Sequence, residues 1–376
     1  MAGTSGAAAR SRIHRKTADR FALMMKQRRG NFFEDFRLGQ VFRHATPRTL
    51  GDGDASLYIA LTGARHVLAS SRPTAVALGY RDRPIDDLLA FHIAFGKTVA
   101  DISLNAIANL GYADVRFLLP VYAWDTLAAE SEVIGLRQNA NGKSGVVWVR
   151  STISNQHGQA VLTWVRWAMV HKHDAAAPAP ATHVPQLPAF VPPEGLSIPP
   201  GLDTSAFDTT ATGSVDLWDD YAVGEHIEHP SGMTVEECDH MLATRLYQNS
   251  ARVHFDALAM KDSQFGRRLM YGGHVISVCR ALSYEGLENA LIITAINGGS
   301  HIAPTFAGDT LYARSEVIDK WDLPGRKDIG ALRLRLIGLK NLPTLAKRPV
   351  SDAGGKYDEH VVLDLDYTVL MPRKPQ

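Results

Sequence analysis

Phe33-Glu-Asp-Phe-Arg-Leu-Gly39 returns 185 positions later as Trp218-Asp-Asp-Tyr-Ala-Val-Gly224. The same offset pairs Thr49 with Thr234, Asp54 with Asp239 and Leu61 with Leu246. Further on, Pro120-Val-Tyr-Ala-Trp-Asp-Thr-Leu127 pairs with Pro304-Thr-Phe-Ala-Gly-Asp-Thr-Leu311 at an offset of 184, and each is followed by Ser-Glu-Val, at 131–133 and 315–317. So many matches in one order indicate internal duplication. The constraint on the fold is severe. Whatever unit the first half forms, the second half must form as well, and 376 residues accommodate two units of ordinary domain size.

The order inside each half predicts the unit. A short strand and turn come first, then a short helix near Gly53–Leu61 and again near Glu236–Leu246. A longer helix follows: Phe91, Phe95, Val99 and Ile102 fall on one side of it in the first half. Its counterpart carries Val275, Val278, Cys279 and Leu282 at helical spacing. The rest alternates. Leu332, Leu334 and Leu336 interleave with Arg333 and Arg335, and Val147 and Val149 with Trp148 and Arg150, which is the period of a strand with one buried face. The halves close on hydrophobic strands around Val161–Val170 and Val361–Met371. One long helix followed by antiparallel strands makes an α+β unit, a helix wrapped by a sheet. The domain plan is therefore a flexible basic arm at 1–30, a first repeat at 31–174, a linker at 175–213 and a second repeat at 214–376. The linker's core, Ala175 to Gly201, holds eight of the 19 prolines, and proline lacks the N–H that helices and central strands need. Extended at about 3 Å per residue, it reaches roughly 60–80 Å, enough to cross a domain face.

Charge narrows the partners. A formal net charge of +1 argues against a general nucleic-acid binder. No apolar run approaches the roughly 20 residues of a membrane helix, and the basic N-terminal arm has no secretory apolar region. An organellar transit peptide is an alternative reading of that arm. Two cysteines, Cys238 and Cys279, form no framework, which suits a reducing compartment, and a cytoplasmic location is expected.

The chemistry concentrates between Arg245 and His274. Asn249 stands five residues before His254, and Tyr271-Gly-Gly-His274 opens the second long helix. Two backbone N–H groups at a helix start, facing a histidine and an amide, can serve an acyl oxyanion and a water at once. Each residue also has a structural use. Asn249 suits a turn, Gly272-Gly273 a sharp bend, His254 a satisfied core position and His274 a helix cap. Asp256 reads as structural. No His, Asp or Glu grouping has metal-ligand spacing, so neither metal nor cofactor is expected.

These segments resemble a known family. A half ending in Pro-x-x-x-Gly-Asp-Thr-Leu is similar to the hot-dog fold of MaoC-like (R-specific, type 2) enoyl-CoA hydratases, and the doubled chain to a double hot dog. Phe32–Gly39, Asp101–Gly111, Val133–Asn139, Ala243–Asn249 and Tyr271–His274 resemble the mesaconyl-CoA hydratase (β-methylmalyl-CoA dehydratase) family in particular, and the likeness runs from Gly30 to Lys374. The resemblance implies a hydro-lyase acting on a small-molecule acyl-CoA, with coenzyme A as part of the substrate. It also implies a place in C2 assimilation through ethylmalonyl-CoA or a related glyoxylate-using route, and a homo-oligomer of double units. MaoC-like hydratases use an Asp and a His five residues apart and a glycine N–H. The His falls on His254 and the glycine on Gly272. The Asp position holds Asn249, which can hold a water but cannot take its proton, so the base role leans on His254. In the first half the matching positions are Ala64 and Ala69, so one reactive centre per chain is expected, with the first repeat shaping the acyl pocket.

A thioester of a dicarboxylic acid also brings anions. Arg252 and Arg245 are candidates for the acyl group beside Tyr271, Gly272, Gly273 and His274, with Arg252 first for the carboxylate. Arg267, Arg268 and Arg116 are candidates for the coenzyme, arginine's planar fork suiting both kinds of anion. Two other functions fit the same fold: an acyl-CoA thioesterase, and a non-catalytic acyl-CoA-binding protein.

Overall fold

A computed structural model of the chain describes residues 29–343 and 349–375. The basic arm expected at 1–30 lies outside the described residues up to position 28. In the first repeat the strands are β1 (Val41–Thr49), β2 (Ala106–Phe117), β3 (Thr126–Gln138), β4 (Ser144–Ser154) and β5 (Ala160–His171). Those of the second are β6 (His226–Thr234), β7 (Ile292–His301), β8 (Thr310–Asp322), β9 (Ile329–Lys340) and β10 (Val361–Pro372). The longer helices are α1 (Asp52–Thr62) and α2 (Asp87–Thr98) in the first repeat, α3 (Glu237–Leu246) and α4 (Gly272–Leu282) in the second.

All ten strands join one antiparallel sheet, in the order β1-β3-β4-β5-β2-β7-β10-β9-β8-β6. The halves meet through β2 and β7, with Tyr112 opposite Gly299. Each half of the sheet encloses its own long helix, which is the double hot-dog architecture. The duplication holds at the level of single contacts. Phe33 packs where a Cβ on Gly145 would stand, and Trp218 does the same at Gly330. The Gly39 N–H bonds the Val133 carbonyl at 2.8 Å, and the Gly224 N–H bonds that of Val317 at 2.8 Å. Asp125 and Asp309 close matching turns by accepting from Tyr122 and Phe306 N–H.

The long helices differ from the one-sided stripe that spacing predicts. Every residue of α2 after Asp87 is buried, and so is every residue of α4 after Gly272. The sheet covers one side of each helix. On the other, α2 and α4 pack on each other and α1 and α3 close the top, so both repeats share a single core. After Thr98, α2 continues as a π-turn through Ser103. On β9 the leucines point into the core, while Arg333 and Arg335 pair across the strand with Asp366 (2.5 Å) and Asp364 (2.6 Å). The proline-rich linker packs over the sheet. His183 bridges to Leu136, Pro185 fills the space at Gly135, Val191 N–H bonds Asn297 Oδ1 at 2.9 Å, and Phe190 stacks on Trp321.

Candidate active site

The segment between α3 and α4 folds back onto α2 of the first repeat. Gly96 makes this approach possible, because a Cβ there would stand 1.9 Å from the Tyr247 carbonyl oxygen. Gln248 takes a left-handed φ of 52° to turn the chain. Asn249 is buried, and its Oδ1 accepts the Ala251 N–H at 3.0 Å. The amide therefore does close a turn. Its oxygen is committed to the backbone, which leaves the Nδ2 donors for a ligand.

A single 3-10 turn, Arg252–His254, then presents the imidazole. His254 Nδ1 lies 2.9 Å from the Leu269 carbonyl. A carbonyl only accepts, so Nδ1 carries the proton and Nε2 keeps its lone pair. The Nε2 atom has no protein partner among the described residues and is not fully enclosed. Burial pushes the His254 pKa down to about 4, against the pull of the Leu269 bond. This imidazole is neutral at ordinary pH and free to accept a proton.

Opposite it, α4 begins without a side-chain cap. The N–H groups of His274 and Val275 turn back to the Tyr271 carbonyl at 2.9 and 3.3 Å. Those of Gly272 and Gly273 have no acceptor among the described residues, as expected at the open end of a helix. The Tyr271 ring connects the two sides. It lies 5.5 Å from the His254 ring, 5.6 Å from His92 and 5.8 Å from Tyr247. Its hydroxyl is buried with no partner among the described residues. The paired glycines also make room: a Cβ on Gly272 would meet the His301 ring at 2.6 Å, and one on Gly273 would meet Tyr271 at 2.4 Å.

Other sequence candidates are spread more widely. His274 is buried beneath the site, with Nδ1 3.2 Å from the Tyr247 hydroxyl. Arg245 and Arg252 are exposed. Arg267 lies over the Phe306 ring at 4.0 Å, and Arg268 pairs with Glu237. Arg116 pairs with Asp114 at 2.7 Å and donates to the Gly195 carbonyl of the linker. Asp256 caps a one-turn helix through the Ala259 N–H, as its structural reading expects.

Three residues at the site are missing from the sequence reading. His92 and Tyr112 come from the first repeat, on α2 and β2, and His301 ends β7. Both His92 nitrogens are buried without a partner among the described residues. His301 Nε2 is 3.4 Å from the Tyr112 hydroxyl. Burial and the nearby His254 hold the His301 pKa down near 4. The only sequence signal is at His92, a polar ring inside the apolar run from Leu88 to Phe95.

A sequence profile described as mesaconyl-CoA hydratase matches residues 14–350. The chain is 57% identical over 345 residues to a beta-methylmalyl-CoA dehydratase of Chloroflexus aurantiacus, covering 92% of this chain and 98% of the relative. It is 56% identical over 351 residues to a mesaconyl-CoA hydratase of Cereibacter sphaeroides, covering 93% and 100%. A crystal structure described as a MaoC domain protein dehydratase from Chloroflexus aurantiacus superposes with a TM-score of 0.91 at 56% identity, covering 93% of this chain and 99% of the other.

Proposed function

The chain belongs to the mesaconyl-CoA hydratase family, and on that premise we propose that it adds water reversibly to mesaconyl-CoA (2-methylfumaryl-CoA) to give β-methylmalyl-CoA. His254 Nε2 takes a proton from water as the oxygen bonds to C3. The C2=C3 electron pair moves toward the thioester oxygen, where the open N–H groups of Gly272 and Gly273 hold the charge. A proton then reaches C2, and dehydration reverses these steps. Asn249 donates from Nδ2 to the attacking water. One observation carries this reading: an imidazole whose tautomer is fixed by Leu269, across the Tyr271 ring from an uncapped helix start.

The test is the absorbance of the conjugated thioester when purified protein meets mesaconyl-CoA. The expected result is its loss, with no release of free thiol. Unchanged absorbance with folded protein rejects the reading, and free coenzyme A would mark a thioesterase. The three groups suffice for the chemistry without a metal or added cofactor, so chelator-treated enzyme should keep its rate. The reading includes a cytoplasmic homo-oligomer. Among the described residues no helix is long and apolar enough to cross a membrane, and both cysteines are free thiols. Light scattering on the purified protein tests the assembly.

A further inference from the structure

Arg166 is fully buried on β5, with 0% of its surface exposed. A buried cation is normally matched by a carboxylate, because leaving water is costly for an unpaired charge. Among the described residues Arg166 has no ion pair. Its Nη2 donates to the Thr98 hydroxyl at 2.8 Å and its Nη1 to the Ser103 hydroxyl at 3.2 Å. Its Nε has no partner among the described residues. Asp101, between those hydroxyls in sequence, is turned to His44 at 2.8 Å. Burial lowers the Arg166 pKa only to about 10, so the charge persists at neutral pH.

That charge faces the candidate site. Arg166 is the direct cross-strand neighbour of Tyr112. The guanidinium lies over the Phe95 ring at 4.3 Å, and the same ring packs on Tyr271 at 5.9 Å. The Tyr112 hydroxyl reaches His301, and His301 lies against Gly272. Tyr271, whose buried hydroxyl has no partner among the described residues, completes the wall. An acyl group anchored at Gly272 has these groups as neighbours. Arg245 and Arg252, in contrast, stand in solvent, where water and salt weaken their reach.

We propose that Arg166, acting through Tyr112 and His301, selects thioesters that carry a second carboxylate. The substrate's own anion supplies the counter-charge that the fold withholds. Arg166 is a positioning residue here, while Tyr112 and His301 make the contacts. The inference rests on the hydration reading above and specifies which part of the site reads the acyl group.

The test compares mesaconyl-CoA with (E)-2-methylcrotonyl-CoA, in which a methyl replaces the carboxylate. Wild type, Arg166→Met, Arg166→Lys and Tyr112→Phe are assayed on both. In Arg166→Met the ratio of kcat/KM for mesaconyl-CoA over 2-methylcrotonyl-CoA should fall by about 10–100-fold, as expected when one buried charge is removed. Lysine should recover part of the ratio. Tyr112→Phe, which removes only a hydroxyl, should lower the ratio in the same direction and serves if Arg166→Met does not fold. Equal loss on both substrates, or an unchanged ratio, overturns the proposal and makes Arg166 a brace between β5 and α2. A wild type that hydrates neither thioester overturns the hydration reading and this inference with it.

Discussion

The two long helices start at equivalent positions, and the starts are built in opposite ways. Tyr271 and Gly272 of α4 correspond, at the same offset of 185, to Asp86 and Asp87 of α2. In the second repeat the helix start is uncapped, and the Gly272 and Gly273 N–H groups have no acceptor among the described residues. In the first, Asp86 Oδ1 accepts the Leu88 N–H at 2.9 Å, and Asp87 accepts the Ile293 N–H at 2.9 Å. Burial and the neighbouring Asp86 push the Asp87 pKa up to about 8. Burial would raise Asp86 too, but His66, the Leu88 N–H and Arg280 hold it low. Where the second repeat has Asn249 and His254, the first has Ala64 and Ala69. The cavity left there, beside Ala69, His66, Asp86, Asp87 and Arg280, has a volume of about 20 Å³, enough for a single water. The same unit thus serves twice. One copy leaves its helix start uncapped, and in the other the Asp86 carboxylate caps it.

The largest effect that tests this contrast is at His254. His254→Gln should lower kcat on mesaconyl-CoA by about 10²–10⁴-fold, the usual worth of a general base, with an unchanged melting temperature. Adding Ala69→His to that variant should restore nothing, because the adjoining helix start is capped. Recovered activity would mean the repeats differ less than the caps imply. Next is Gly272→Asp, which writes the first repeat's residue into the second. Its side chain must displace the His301 ring and sits at the proposed oxyanion donors, so kcat should fall by about 10²–10³-fold. Asn249→Ala should have a smaller effect, costing about 1 kcal/mol of stability by releasing the Ala251 N–H. Asn249→Asp, which keeps the acceptor, should spare the fold in a denaturation assay.

Two pH effects follow. Because His254 stays neutral in the fold down to about pH 4, the acid limb of kcat/KM should lie near 4 to 5, not at 6.5. A limb between 6 and 7 would point to an exposed base. Asp87 works in the other sense. Its carboxyl is protonated in the fold up to about pH 8 but ionised in the unfolded chain above its ordinary value of 3.8. The folded state therefore binds more protons between these values. This contribution to stability is complete below about pH 4 and is lost as pH rises toward 8. Asp87→Asn should flatten that part of the stability profile while sparing activity. A variant with the wild-type slope in thermal melts from pH 5 to 8 would show that Asp87 is ionised in the fold.

Much of this is legible from residue order. The repeated segments give the architecture, because each repeated pair makes the same contact in its own half, as Phe33 on Gly145 and Trp218 on Gly330 do. Asn249, His254, Gly272 and Gly273 lie within 25 residues of one another, so their spacing exposes the site. Tyr112, Arg166 and His301 do not, since only the pairing of β2 with β5 and β7 gathers them, and His92 reaches Tyr271 only through the packing of α2. A buried arginine or histidine in an apolar strand reads, in sequence, as an edge or a surface position. The arginines near Gly272 in sequence stand out for the same reason and end up elsewhere, Arg268 on Glu237 and Arg267 on Phe306. The pairing of Gly272 with Asp87 was available from the offset. Its meaning depends on seeing that both residues begin helices.

The most direct test is a crystal structure of the His254→Gln variant, slowed in turnover, with mesaconyl-CoA bound. The thioester oxygen is expected within hydrogen-bond distance of the Gly272 and Gly273 N–H groups, with C3 facing residue 254 and no acyl group at Asp86 or Asp87. A thioester oxygen held elsewhere, or an acyl chain seated at the start of α2, would contradict the assignment of the reactive centre to the second repeat.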